Sequence, residues 1–402
     1  MTSSSPRLLL ALQALWSAEG LRDPYPVYER LRAFAGAGGL VQVPEWGVCL
    51  ALSHTAADTV LRAPQARSAE WSSSHSDGAR LLQHMMLFRN GAGHRRLRGL
   101  VEKAFTPARV EEQRELVRGL LSELLGDLAR RPGPVDIVAG LSGPLPGRVI
   151  LRMLGLSGTD EERFLAWSDS VAALLGGAGG PELLAHIDRD ARDMREYFRD
   201  LAAQLRAHPQ PGLLSALAAA EDGGQRLSGD ELLSNAVLLL TAGHETTSNL
   251  IPGALLALHS QPQAWDALVE QPRQPGVADE LLRFVSPVQV DSRTLSAGLA
   301  VGETWLPAGR SVQLLLAAAN RDPAVFAEPE RLDWARPNAA RHLAFAAGPH
   351  YCLGASLARL EIAEVFAALA ARFPRLRVVD PAPAFNPNHV LRGLQALWVQ
   401  LE

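Results

Sequence analysis

The chain has 402 residues, of which 47% are hydrophobic and 20% charged, with a formal net charge of -4. That composition is ample for a large core, and so even a charge balance leaves no basic footprint for nucleic acid. Two cysteines in a chain of this length are too few for a disulfide framework, so a reducing, cytoplasmic setting is expected. Length alone suggests two or three domains, but no linker-like low-complexity stretch divides the chain, and a single domain over residues 1–402 is expected.

The apolar run Leu8 to Trp16 is interrupted by Gln13 and is too short to span a bilayer, which needs about 20 apolar residues; no integral membrane segment is expected. Asp23-Pro24-Tyr25-Pro26 reads as a cap and first turn of an amphipathic helix. Leu40 to Val43 and Val48 to Leu52 read as strand, turn and strand, with Cys49 in the core. Arg67 to Gly78, rich in serine, reads as a long irregular loop of the kind that carries binding functions. His94 and Arg98, four residues apart, share one face of the next helix. An extended piece at Val135–Val138 precedes a helix ending at Gly155, and Phe164, Trp167 and Val171 continue with helical spacing. The glycines between Gly176 and Gly180 predict a hinge or lid, followed by helices over Met194–Leu205 and Leu213–Ala220.

Ser228-Gly229-Asp230-Glu231 is a capping box opening a long helix that stays apolar through Leu240. The break at Thr241-Ala242-Gly243-His244-Glu245-Thr246-Thr247 puts polar groups where burial penalises them, and such a violation marks a functional site. The zinc-protease pattern His-Glu-x-x-His fails here, because its fifth position is Ser248. Pro252 predicts a kink one turn later.

Glu280 and Arg283 lie on one face of a further helix, followed by an extended segment through Val288–Val290 and Arg293. Thr304–Gly309 and Val312–Leu314 read as turn and strand, and Asn320-Arg321-Asp322-Pro323 as a helix start. Phe345-Ala-Ala-Gly348-Pro349-His350-Tyr351-Cys352-Leu353-Gly354 is a tight loop ahead of a helix, and a hairpin near His389 to Leu394 ends the chain. The free N–H groups and positive dipole end of that helix favour the Cys352 thiolate, a candidate metal ligand. A lone cysteine is otherwise most often a small buried apolar residue.

The loop resembles the haem-binding loop of cytochromes P450, Phe-Gly-x-Gly-x-His-x-Cys-x-Gly, with Phe345, Gly348, His350, Cys352 and Gly354 in register and Ala346 in place of the first glycine. The resemblance runs from about Asp23 to Val399 and implies a mainly α fold with a smaller β-rich subdomain, enclosing haem b. It implies Cys352 as the axial iron ligand, a kind of ligation suited to O–O cleavage, and His94, Arg98 and Arg293 as donors to the haem propionates. Residues 67–78 would roof the substrate pocket, lined by Val288–Val290 and the tip near His389–Leu391.

Ala242-Gly243-His244-Glu245-Thr246-Thr247 is similar to the family's oxygen groove. By that likeness Gly243 clears space for the haem, Thr246 hydrogen-bonds O2 or its water, and Glu245 relays protons; Thr247 is read as bonding back to the carbonyl four residues earlier. Glu280-x-x-Arg283 resembles the family's core lock, with Arg331 as third member. The activity implied is insertion of one oxygen atom from O2 into a hydrophobic small molecule. Electrons would come from a separate ferredoxin and reductase, since the haem domain uses up the chain, and Arg95, Arg96, Arg341 and Arg359 would form the basic docking face. A peroxide-driven peroxygenase and a non-catalytic haem sensor or carrier are the alternatives.

Overall fold

The computed structural model describes residues 5–36, 38–70, 76–156, 160–177, 180–219, 221–222 and 225–402. Nine helices carry the account: α1 (Tyr25–Arg32), α2 (His54–Arg62), α3 (Gly91–Val101), α4 (Pro144–Leu154), α5 (Glu161–Leu175), α6 (Pro181–Ala207), α7 (Gly229–Ser260), α8 (Val277–Val285) and α9 (Ala355–Arg372). Helices predominate, and the largest sheet has five strands: β1 (Leu40–Val43), β2 (Val48–Ala51), β3 (Ala66–Arg67), β4 (Val290–Leu295) and β5 (Ser311–Leu315), in the order β1-β2-β5-β4-β3. The fold is therefore mainly α with a smaller β region.

The axis of the molecule is α7, whose 32 residues span about 48 Å. Its capping box forms as the sequence predicts: the Ser228 hydroxyl accepts from the Glu231 N–H at 3.1 Å, and the Glu231 carboxylate accepts from the Ser228 N–H at 3.0 Å. Apolar residues on most of its sides explain its burial against α4, α5 and α8. The helix stays one element through Pro252, which forfeits only the N–H that would reach the Ser248 carbonyl. In the sheet, β2 pairs antiparallel with β1 and parallel with β5, and β5 pairs antiparallel with β4, so that Val312 stands opposite both Cys49 and Arg293.

Several local expectations shift. The helix foreseen over Met194–Leu205 begins already at Pro181, where proline at the first turn costs no hydrogen bond. Asn320 does not open a helix. It ends the short helix Leu316–Ala319 and is fully buried, its side chain accepting from the Leu343 N–H and donating to the Ser286 hydroxyl at 2.8 Å. The serine-rich loop is bounded by β3 and a helix starting at Asp77, and residues 71–75 within it lie outside the described residues. At the predicted hinge, Gly177 and Gly180 take positive φ of 73° and 119°, while 178–179 lie outside the described residues.

A second correction concerns the core lock. Glu280 and Arg283 are fully buried on α8, joined by two hydrogen bonds of 2.8 Å. The third member is Arg336, whose Nε donates to both Glu280 oxygens at 3.0 and 3.1 Å. Arg331 points outward to Asp333 and Glu328, and contributes only its carbonyl, which accepts from Arg283 and Arg336. The remaining donors of the two buried guanidiniums reach the carbonyls of Asn320, Ala327, Glu328 and Pro329, so that excess charge is met by dipoles. Removing one member of such a buried set strands the rest. Arg336→Ala should therefore cost about 3–5 kcal/mol of stability, read as a lowered urea midpoint, while Arg331→Ala leaves the midpoint in place. Equal effects would return Arg331 to the lock.

Candidate functional site

The loop before α9 is folded by its own backbone. Its Cys352 N–H donates to the Phe345 carbonyl at 2.9 Å and the Tyr351 N–H to the Gly348 carbonyl at 3.1 Å. Gly348 is required twice over: its φ is +69°, and a Cβ there would stand 2.4 Å from the Leu61 carbonyl oxygen on α2. Phe345 is buried, tilted against His342 and Tyr351, with the Arg359 guanidinium 4.7 Å from its ring centre.

Cys352 itself presents an exposed side chain within surroundings dense enough that burial pushes its thiol up, against the Gly354 N–H and the charges of Arg98 and Arg359. The sign is opposite to the expectation that the helix end favours the thiolate. Desolvation outweighs these three, with α9 starting only at Ala355, and a bound cation would shift the balance the other way.

Four basic side chains gather by this loop. His94 of α3 stacks on His350 with ring centres 4.1 Å apart, and both rings are held below the usual imidazole range, His350 to about 3. Burial is the main cause, with Arg98 and Arg293 adding to it in both cases, so the four groups share one field. Arg293, nearly buried on β4, donates to Asp291 at 2.6 Å and to the Ser292 carbonyl at 2.7 Å; Arg98 has Glu102 at 3.9 Å.

These residues fit an iron porphyrin. Among the described residues, the one cluster of three or more His, Cys, Asp and Glu side chains able to hold a metal unaided is Asp169, His244 and Glu245, and it does not include Cys352. A lone thiolate suits an iron whose other ligands are supplied by a macrocycle, and the surplus of guanidinium and imidazole groups suits its carboxylates.

On α7 the polar break divides by helical phase. Ala242 is exposed in the middle of this buried helix, and Thr246, one turn on, shares its side and donates its hydroxyl to the Ala242 carbonyl at 3.0 Å. This back-bonding, expected of Thr247, belongs to Thr246. Thr247 is buried and hydrogen-bonds instead to Glu361 of α9, a carboxyl that burial pushes up to about 8. Gly243 faces Ile150 of α4, where a Cβ would stand 3.1 Å from Cγ1, so its missing side chain serves helix packing and Ala242 forms the open side of the groove.

Sequence reasoning missed the partners of Glu245. Its carboxyl accepts from Asn249 Nδ2 at 3.1 Å and hydrogen-bonds Asp169 of α5; burial first, then Asp169, push it up to about 7. The Asn249 spacing of one helical turn was a legible signal. Asp169, 76 residues from Glu245 in sequence, offered none.

The cytochrome P450 family model matches residues 275–393. The chain is 37% identical over 410 residues to the cytochrome P450 monooxygenase PikC of Streptomyces venezuelae, covering 99% of this chain and 95% of that one. It is 33% identical over 392 residues to the biotin biosynthesis cytochrome P450 of Bacillus subtilis strain 168, covering 96% and 98%. The solved structure of P450BioI in complex with an acyl carrier protein ligated to hexadec-9-enoic acid superposes with a TM-score of 0.89 at 30% identity, covering 96% of this chain and all of that one.

Within the matched span, Ala346 departs from the family's glycine and adopts φ +55°, a left-handed backbone that a Cβ opposes by about 1–2 kcal/mol. Ala346→Gly should raise stability by about 0.5–1 kcal/mol after the greater freedom of glycine in the unfolded chain is deducted. Chemical denaturation of the two proteins checks this; a loss of stability would mean that alanine sits in the loop without strain.

Proposed function

As a member of the cytochrome P450 family, this chain is, we propose, a haem-thiolate monooxygenase that binds haem b through Cys352 and inserts one atom of O2 into a hydrophobic small molecule. The observation that carries the reading is the Cys352 thiol, without companion metal ligands among the described residues, beside four basic side chains. When bound, the haem supplies the redox chemistry that splits O2 with two electrons.

The chain's own residues hold and feed that group. Cys352 supplies the anionic ligand, while His94, Arg98, Arg293 and His350 receive the propionates as charge-assisted or neutral donors. Phe345 and Gly348 shape the loop that aims the sulfur. On the other side, Ala242 leaves room, and the Thr246 hydroxyl, its proton committed to the Ala242 carbonyl, offers lone pairs to water in the groove. Glu245 beside it, pushed up to about 7, keeps a proton near neutral pH and is matched to general-acid work there.

The substrate faces apolar surface: Ala242 is exposed, and Val288 and Leu391 are brought together in a β-bridge between the segment after α8 and the last hairpin. Which regio- and stereochemistry follows depends on the substrate's own shape against these residues. No described helix is long and apolar enough to cross a membrane. Electrons come from a redox partner, proposed to be a ferredoxin with its own reductase. Of the four arginines of the proposed docking face, Arg96 is engaged with Glu231 and Arg359 with Asp279, so Arg95 and Arg341 are the exposed pair left to meet an acidic surface.

Cys352→Ala should lose the absorption band by which the reduced carbon monoxide complex reports thiolate ligation; an unchanged band would remove the sulfur from the iron. Thr246→Ala should still consume electrons but release more peroxide and less product. Tight coupling in that variant, measured as product per electron, would count against a role for the hydroxyl.

A further inference from the structure

Asp169, His244 and Glu245 place one ligand atom each within 4.8 Å of one another where α5 crosses α7, and the function proposed above uses only Glu245. His244 fixes the arrangement. Its Nε2 lies 3.1 Å from the Gly143 carbonyl, an acceptor only, so Nε2 carries the hydrogen. Its Nδ1, 3.1 Å from the Ser168 hydroxyl, is then the acceptor. The ring is a neutral anchor with both nitrogens occupied, and burial holds it below the usual imidazole range. Gly147 of α4 instead makes room for Leu165 of α5, whose Cδ2 a Cβ would meet at 2.4 Å.

Ser168, hydrogen-bonded to the ring, immediately precedes Asp169 on α5. From α7, Asn249 donates to Glu245 Oε2 at 3.1 Å, and the same carboxyl hydrogen-bonds Asp169. Asn249 is in turn confined by Gly393 of the last hairpin, where a Cβ would overlap its Oδ1. The groups acting on the two carboxyls are thus His244, Asn249 and each other, with no guanidinium among the described residues that act on them. Two carboxyls so placed cannot both ionise cheaply, and retain a proton between them. Asp169 is exposed and recurs with Glu162 and Ala166 along the exposed face of α5, whereas Glu245 lies half-buried next to the groove.

We propose that Asp169 is the proton-loading partner of Glu245, sharing one proton with it across a carboxyl–carboxylate hydrogen bond and supplying it from the exposed face of α5. This rests on the reading in which Glu245 feeds the groove beside Thr246. At rest Glu245 is protonated and Asp169 accepts, so the pair holds one proton and one negative charge. Release of the Glu245 proton into the groove leaves two carboxylates. A proton from water then adds to Asp169 and crosses to Glu245, restoring the start with no oxidant or reductant. A divalent cation would compete for the same atoms, but it would have to break one of the two hydrogen bonds of His244 to use the ring.

Infrared titration of the haem-loaded protein tests this. The wild type should show a protonated-carboxyl band that is absent in Glu245→Gln, which separates it from that of buried Glu361, and that disappears near pH 7. In Asp169→Asn the band should disappear at a pH lower by more than about one unit, a tenfold change in proton affinity, and Asp169→Glu should restore it. Product per electron should fall with rising pH in the wild type and begin to fall at a correspondingly lower pH in Asp169→Asn. If Asp169→Asn moves neither the band nor the profile while Glu245→Gln and Thr246→Ala lower the yield, this inference alone falls. If those two variants leave the yield unchanged, the groove reading beneath it has failed. Stoichiometric Zn2+ uptake that abolishes the wild-type band, and is lost in Asp169→Asn, would make the cluster a metal site and overturn the proposal.

Discussion

The Cys352 sulfur, proposed as an anionic ligand, is set where the surrounding protein disfavours anions. Burial pushes the Cys352 thiol up, and one backbone N–H with two guanidiniums does not cancel that cost. A cation bound at the sulfur would offset that cost, and several contacts fix the loop in place. Gly348 presses the loop against α2, the Phe345 carbonyl ties down the Cys352 backbone, and Arg359, fixed to Asp279 on α8, braces the Phe345 ring. The Glu280, Arg283 and Arg336 knot holds α8 itself.

The polar break in α7 obeys the same rule with different means. A helix that is apolar for several turns cannot take up charge unless the charge is neutralised, paired or wet. At the break in α7, neutralisation is the answer: His244 is held as a neutral ring between a carbonyl and a hydroxyl, and burial with the neighbouring Asp169 pushes the Glu245 carboxyl up to about 7. Glu361, facing Thr247 from α9, is held protonated by burial in the same manner. His244 and Glu361 thus enter the core without charge, and at Glu245 and Asp169 one shared proton would limit the pair to a single negative charge.

What could be read from the sequence was what lies close in the chain. The Cys352 loop, the capping box at Ser228 and the polar break each occupy a few consecutive residues, and the order of the motifs along the chain made the family visible. Contacts between distant segments were not readable. Arg331 and Arg336 both follow α8 in a stretch without periodicity, and only the turn at Asp333 decides which guanidinium turns inward. Asp169 lies in an ordinary amphipathic helix, and its meaning comes from the crossing of α5 over α7. The expectation for the Cys352 thiol failed for a related reason: the dipole argument was local, whereas desolvation is summed over everything packed around the sulfur.

Helical phase explains the one exchange of roles within a motif that was otherwise legible. Successive residues on α7 turn by about 100°, so neighbours in a run such as Ala242 to Thr247 must face different elements. Ala242 and Thr246 are one turn apart and fall together on the open side; Gly243 and Thr247 form the next such pair and fall on α4 and α9. A threonine on the open side can bond back to its own helix because no partner helix competes for the hydroxyl, whereas a threonine pressed against another helix is drawn to the carboxyl it meets there. The sequence carries both threonines side by side, and the rotation of the helix about its axis, set by Gly243 against Ile150, determines which one faces the groove.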